Sequence, residues 1–214
     1  MKNVVGSLKF MWTAFLLLLL VCVPLSAQQF AKRIIVRAGK LLDVKSGKLQ
    51  INQAVIVESD KIVSVGPASE IKTSATDTLI DLSNATVLPG LIDAHTHLTF
   101  NPHFGYETLA ISVPREALIG AHNARITLEA GFTTVRNVGA RGYSDVALRD
   151  AINAGDVPGP RMLVSGPALS ITGGHCDNDL LPYEYHATSD GAADGVEQVQ
   201  HKTREIIKST EPTS

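Results

Sequence analysis

Cysteine is almost missing from this chain: Cys22 and Cys176 are the only two in 214 residues. Cys22 falls in a leader-like segment, so a mature chain would carry Cys176 alone. That excludes an internal disulfide framework. Neither sign of charge is in excess, with 19 basic and 21 acidic side chains and a net charge of -2. Nothing here implies nucleic acid or another polyanion as a partner. No apolar run reaches the roughly 18 residues needed to cross a bilayer, and no Gly-x-Gly-x-x-Gly turn follows a strand-like segment, which speaks against a dinucleotide fold.

What is present begins with a basic start at Lys2 and Lys9, an apolar stretch over 11–23 and then Pro24-Leu25-Ser26-Ala27. This order reads as a secretory signal peptide over 1–27, cleaved near Ala27. It implies a secreted or periplasmic protein with no stable membrane anchor. Leu19-Leu20-Val21-Cys22 is a poor lipoprotein box, because Val21 is bulky where such boxes carry a small residue.

Residues 28–82 alternate in short β-branched runs, at 34–38, 54–58 and 62–66, separated by Asp, Ser and Gly. These are hairpin signals. A sheet this small buries too little surface to be robust alone. From 83 to 208 the rhythm changes to strand and helix in turn: a strand over 86–97, a helix over 114–130 with Ala117, Leu118, Ala121, Ala124 and Leu128 at helical spacing, a strand over 133–138, a helix over 145–154 closed by Gly155, a strand over 162–165 reaching towards 171, and a helix over 195–208. About three βα units imply an α/β fold with a parallel sheet. Pattern alone leaves an open sheet and a closed barrel both standing. A polar tail follows over 209–214.

The chemistry concentrates in Leu88-Pro89-Gly90-Leu91-Ile92-Asp93-Ala94-His95-Thr96-His97-Leu98. In a regular strand Asp93, His95 and His97 share one face. Imidazole is a preferred ligand for zinc and related divalent ions, and a catalytic zinc takes about three protein ligands with one position open for water. A bare His-x-His pair in a chain of seven histidines is weak evidence; the Pro-Gly turn, the aspartate and the strand context strengthen it. His103, His122, His186 and His201 carry no such pattern. Cys176 beside His175 lacks an evident base, so a nucleophile reading fails. Asn84-Ala85-Thr86 fits a glycosylation sequon but carries no meaning behind a bacterial-looking leader.

Together with Gly131-Phe132-Thr133-Thr134-Val135-Arg136-Asn137-Val138-Gly139, the motif over 87–98 resembles the amidohydrolase superfamily of metal-dependent hydrolases. Gly159-Pro160-Arg161-Met162 and Ser170-Ile171-Thr172-Gly173-Gly174-His175 are most similar to its imidazolonepropionase-related, proline-dipeptidase-like branch. The resemblance implies a TIM-like (β/α) barrel with its site at the C-terminal strand ends, preceded by a β-sandwich segment. It implies His95 and His97 as ligands of a divalent metal, most simply zinc, with Asp93 orienting a ligand. His175 and Arg136 are substrate-pocket candidates. Asn137 stands where relatives usually carry Asp, which puts any carboxylate role there in doubt.

The implied reaction is hydrolysis of a C–N bond in a small amide or dipeptide by metal-activated water. Relatives add a strand-four lysine, two further histidines and a proton-shuttling aspartate, none of which has a counterpart here; Lys208 matches the helix lysine before strand four. Residues 83–214 hold at most about four βα units of a full barrel. The chain therefore reads as an N-terminal portion, inactive alone. Two alternatives stand beside the enzyme: a noncatalytic secreted metal- or ligand-binding module, and one half of a split enzyme whose barrel a second chain completes.

Overall fold

A computed structural model of the chain describes residues 33–102 and 105–211. The leader expected over 1–27, with Cys22, lies outside the described residues, as do His103 and the last three residues of the tail. The chain divides after Leu88 into two compact units.

In the first unit β1 (Arg33–Asp43) is central, pairing antiparallel with β2 (Lys48–Glu58) and parallel with β4 (Thr78–Val87). β3 (Lys61–Pro67) extends the sheet beyond β2, giving the order β3-β2-β1-β4. Ile35 and Ile56 are directly paired and, with Ala54, fully or almost fully buried. Adjacent Ile62 and Val63 are both more than half exposed, so β3 leaves apolar surface on each of its faces. Among the described residues these strands make one sheet, not two facing layers.

The second unit contains β5 (Leu91–Thr96), α1 (Val113–Glu129), β6 (Phe132–Asn137), α2 (Ser144–Ala154), β7 (Arg161–Val164) and α3 (Gly195–Thr210). The three strands are parallel in the order β5-β6-β7. The continuous strand expected over 86–97 is two strands of different sheets. Pro89 has no N–H for a ladder, and Gly90 sits where an added Cβ would lie 2.6 Å from Thr133 Cβ. The chain therefore breaks at Leu88-Pro89-Gly90 and restarts where Leu91 N–H donates to Gly131 O at 2.9 Å.

Leu98, Ala124, Val135, Leu148 and Met162 form the core between this sheet and its helices, with Ala121, Phe132 and Ile152 packed on it. Burying each of the larger side chains contributes about 1.5–3 kcal/mol. Leu118, expected in the apolar stripe of α1, is exposed instead. The buried stripe runs through Glu116, Gly120 and Ala124; a Cβ on Gly120 would meet Leu148 and Thr99 methyls at 2.9 Å, so this face lies close to the core, and Leu118, about 200° round the helix from Gly120, points away from it. α2 ends at Gly155, whose φ of 82° is left-handed and suits a residue without Cβ. β7 stops at Val164; the expected continuation towards 171 is loop, joined to the sequence ahead of α3 by an isolated bridge from Ser170 to Ala192. α3 runs two residues past Lys208, its last turn held by Thr210 Oγ1 donating to Ile206 O at 2.9 Å. No helix among the described residues is long and apolar enough to cross a membrane.

The close approach at Gly90 generates a test. Gly90→Ala should lower unfolding stability by about 1–3 kcal/mol through overpacking, read as a lower urea midpoint. Thr133→Gly should recover more of that loss than Thr133→Ala, because the Thr133 Cβ is itself in the way.

Candidate metal centre

The C-terminal end of β5 departs from simple alternation. Asp93 pairs with Val135 and Thr96 with Asn137, so four residues of β5 span the length of three on β6. This slip is a β-bulge. It keeps Asp93 and Thr96 on the side of buried Val135 and Asn137 and turns His95 and His97 to the other side. The expectation that Asp93 shares a face with both histidines is thereby overturned. Asp93 Oδ1 accepts the His95 backbone N–H at 3.0 Å, so its carboxylate shapes the bulge through the main chain.

His95 and His97 are both exposed, with ring centroids 5.4 Å apart and planes at 73°. His97 lies just beyond the strand, in a turn where Phe100 N–H donates to His97 O at 3.1 Å. Its ring stacks on Phe100 with centroids 5.1 Å apart and planes 7° from parallel. Gly139 is near the same ring, where an added Cβ would come within 3.5 Å of His97 Cε1. No described residue hydrogen-bonds a ring nitrogen of the pair. Two open imidazoles on one strand end suit two positions of a divalent metal's ligand set. No third His, Cys, Asp or Glu joins them in a group able to hold a metal among the described residues.

Arg136 lies on the exposed face of β6, opposite Val135, and its Nε donates to Ala94 O at 2.7 Å. That bond ties the guanidinium to the bulge. His175 is exposed in the loop after β7. Asp177 folds that loop by accepting the N–H groups of Gly173 and Ser189, each at 2.8 Å. These bonds, from Gly173 first and then Ser189 and Asn178, hold its carboxyl below the ordinary range. Asp194, the residue before α3, turns its carboxylate to Thr172 instead of capping the helix, and Thr172 lowers its carboxyl in the same way. Gln198 Oε1 accepts the Asp194 N–H at 2.8 Å. Cys176 is exposed, as are His122 on α1 and His201 on α3. A shallow hollow bordered by Ala193, Glu197, His201 and Lys202 includes neither histidine of the pair.

Below the pair lies a buried polar network that motif reading passed over. Asn137 Oδ1 accepts the Leu98 N–H at 2.7 Å, and its Nδ2 donates to Gly139 O at 3.0 Å and Asp145 Oδ2 at 3.3 Å. Asp145 Oδ2 also accepts the N–H groups of Ser165 and Gly166 at 3.3 and 3.1 Å. Asn137 and Asp145 are both fully buried. The available signal was parity: Asn137 falls two residues after core Val135, on the face where an apolar residue belongs. A second clamp holds the next loop, where Arg141 Nη1 donates to Glu116 Oε1 at 2.8 Å and to Thr108 O at 3.2 Å. Burial raises the Glu116 carboxyl against the opposing pull of Arg141.

The lowered Asp177 carboxyl makes a prediction about the His175 loop. Its bonds contribute fully above the ordinary value near 3.8 and are lost as pH falls through the lower native value. Protection of the Gly173 and Ser189 amides against exchange, relative to the intrinsic rate at each pH, should therefore fall together only below that ordinary value. Asp177→Asn should abolish the acid step; an unchanged step would show that another group governs the loop.

Residues 86–212 match the amidohydrolase family. Ochratoxinase from Aspergillus niger is 32% identical over an alignment of 198 positions that covers 83% of this chain and 40% of that enzyme. Imidazolonepropionase from Fusobacterium nucleatum is 47% identical over 53 residues, 23% of this chain and 13% of that protein. Among solved structures, a Xaa-Pro dipeptidase with methionine bound in its active site superposes with a TM-score of 0.74 at 30% identity, covering 83% of this chain and 45% of that one. The chain spans less than half the length of either the ochratoxinase or the dipeptidase. On these matches, and on the paired histidines at the end of its first parallel strand, the chain belongs to the amidohydrolase family.

Proposed function

We propose that this chain carries the opening ligands of a metal-dependent amidohydrolase, in which His95 and His97 hold a divalent metal and the reaction is hydrolysis of a C–N bond in a small amide or dipeptide. The observation that carries this reading is the pair itself: two exposed rings 5.4 Å apart whose nitrogens no described residue engages. Zinc is the simplest choice for imidazole ligands, and when bound it would lower the pKa of water and polarise a carbonyl. Around it, the chain's own residues orient and bind. The Phe100 stack holds the His97 ring. Asp93 keeps the His95 main chain in the bulge. Arg136, on the same exposed side, and His175, on the loop that Asp177 folds, are the groups available to meet substrate.

This reading makes the three βα units part of a TIM-like barrel, with its site at the C-terminal strand ends. The uncovered face of the sheet supports it, since Ile92 is 72% and Leu163 59% exposed there. It also makes the protein secreted or periplasmic, from the leader over 1–27, with no nucleic-acid partner.

A second reading is favoured by the absence of a third ligand beside the pair among the described residues. In it the chain is a noncatalytic metal-binding module, or a half-enzyme completed by a second chain. One experiment separates the three. Zinc titration by calorimetry should give one site, and His95→Ala or His97→Ala should each weaken it by more than about tenfold, because one of two imidazole contacts is removed. Zinc-dependent hydrolysis of Xaa-Pro dipeptides supports the enzyme, binding without turnover supports the module, and turnover only with an added polypeptide supports the half-enzyme. A chain whose zinc affinity ignores both substitutions overturns all three.

A further inference from the structure

We propose that Asn137 and Asp145 are a positioning pair that sets where the His97 ring stands, by gripping the main chain immediately after it. The inference rests on the metal-ligand reading of His97, and adds to it the residues that hold that ligand in place.

Leu98 follows His97, and its N–H donates to Asn137 Oδ1 at 2.7 Å, the shortest bond in the network. Leu98 is itself 7% exposed and packs in the core, so a fixed Leu98 main chain leaves His97 little freedom. Asn137 is held in turn by Asp145, from the first turn of α2. Asp145 takes the Ser165 and Gly166 amides, just past β7, on the same oxygen. One amide and one carboxylate thus tie together the ends of all three parallel strands. Water does not reach either side chain, so each bond is costly to leave unmade.

The chemistry of position 137 is specific. It must accept from Leu98 N–H and donate to a carboxylate, and those two neighbours fix which end of the amide is oxygen. A carboxylamide does both without a proton to gain or lose. Asn137→Asp would keep the Leu98 acceptor, whereas Asn137→Ala removes both that acceptor and the donor to Asp145. Asp145→Asn is the milder change, since an amide oxygen can still accept from Asn137, Ser165 and Gly166. The Val146 N–H that loses Asp145 Oδ1 already donates to Tyr143 O at 3.1 Å.

The test needs a readout of His97 that bulk stability does not move. Stacking on Phe100 should displace the His97 ring-proton resonances of the metal-free chain upfield. Asn137→Ala, which removes the Leu98 acceptor without adding charge, should remove at least about half of that displacement and weaken zinc by about 10–100-fold, the usual cost of disturbing groups that hold a ligand. Asp145→Asn should keep most of both. Gly155→Ala, at the far end of α2 from Asp145, is the control: its left-handed φ of 82° makes a Cβ costly, so the melting temperature should fall, while nothing lies within 4 Å of that Cβ and the ring resonances and zinc affinity should stay within about twofold. If Asn137→Ala does not fold, Asn137→Leu, which removes the same acceptor without leaving a cavity, carries the same readout and the same expectation. Unmoved His97 resonances in the position 137 variant, or equal movement in Gly155→Ala, would overturn the proposal. A wild-type chain that binds no zinc while its ring resonances follow position 137 would sink the metal reading and support the positioning pair.

Discussion

The one-residue slip in β5 between Asp93 and Thr96 is the constraint on which the candidate centre depends. Val135 and Asn137 face the helices, and the slip brings Asp93 and Thr96 to that side while sending His95 and His97 to the other. A regular strand would have set Asp93 and His95 on one face and opposed a charged residue and an imidazole to the same neighbours. Bulges re-aim side chains at the ends of strands where function sits, and this one is held at both flanks. Asp93 bonds the His95 amide, Thr96 Oγ1 donates to Arg136 O at 3.2 Å, and Arg136 Nε donates back across to Ala94 O.

Beneath the slip, the sheet ends are joined by polar groups where an apolar core would be simpler. Val135 and Met162 supply ordinary packing in the middle of the strands. At their ends the chain turns into loops, and the main-chain N–H groups of Leu98, Ser165 and Gly166 have left the ladder. Buried amides of this kind need acceptors. Asn137 and Asp145 provide them, so burying these two polar side chains solves a backbone problem that no hydrophobic residue could. Glu116 and Arg141 make the converse clamp one loop further on, where Arg141 donates to the Thr108 and Ile111 carbonyls and Glu116 Oε2 is left without a partner.

Much of this architecture was legible from pattern. The helices over 114–130, 145–154 and 195–208 and the strands over 133–138 and 162–165 followed from period and from Gly stops, and all lie within a few residues of the observed elements. What failed did so for local physical reasons. The single strand over 86–97 ignored that Pro89 cannot donate and that Gly90 touches Thr133. The face of Asp93 was misassigned because alternation assumes no bulge, and a bulge is set by pairing with β6, which no local window contains. Leu118 was misplaced because the buried stripe of α1 passes through Glu116, Gly120 and Ala124, on the opposite side of the helix from it, and does not follow the apolar count. Asn137 and Asp145 were invisible as a pair because the bond between them is tertiary.

The pairing of His95 with His97 also bears on how tightly such a site can bind. Ordering two free side chains on binding costs affinity, and a ligand set already fixed avoids that cost. His97 is stacked on Phe100, and its neighbour Leu98 is anchored in the core. His95 has no such stack; its restraint comes from the main chain through Asp93. The two imidazoles are therefore unequally prepared, one held by its ring and the other by its backbone. On the proposed metal reading, the better-defined first contact would be His97, with His95 the side chain that has more ordering still to do.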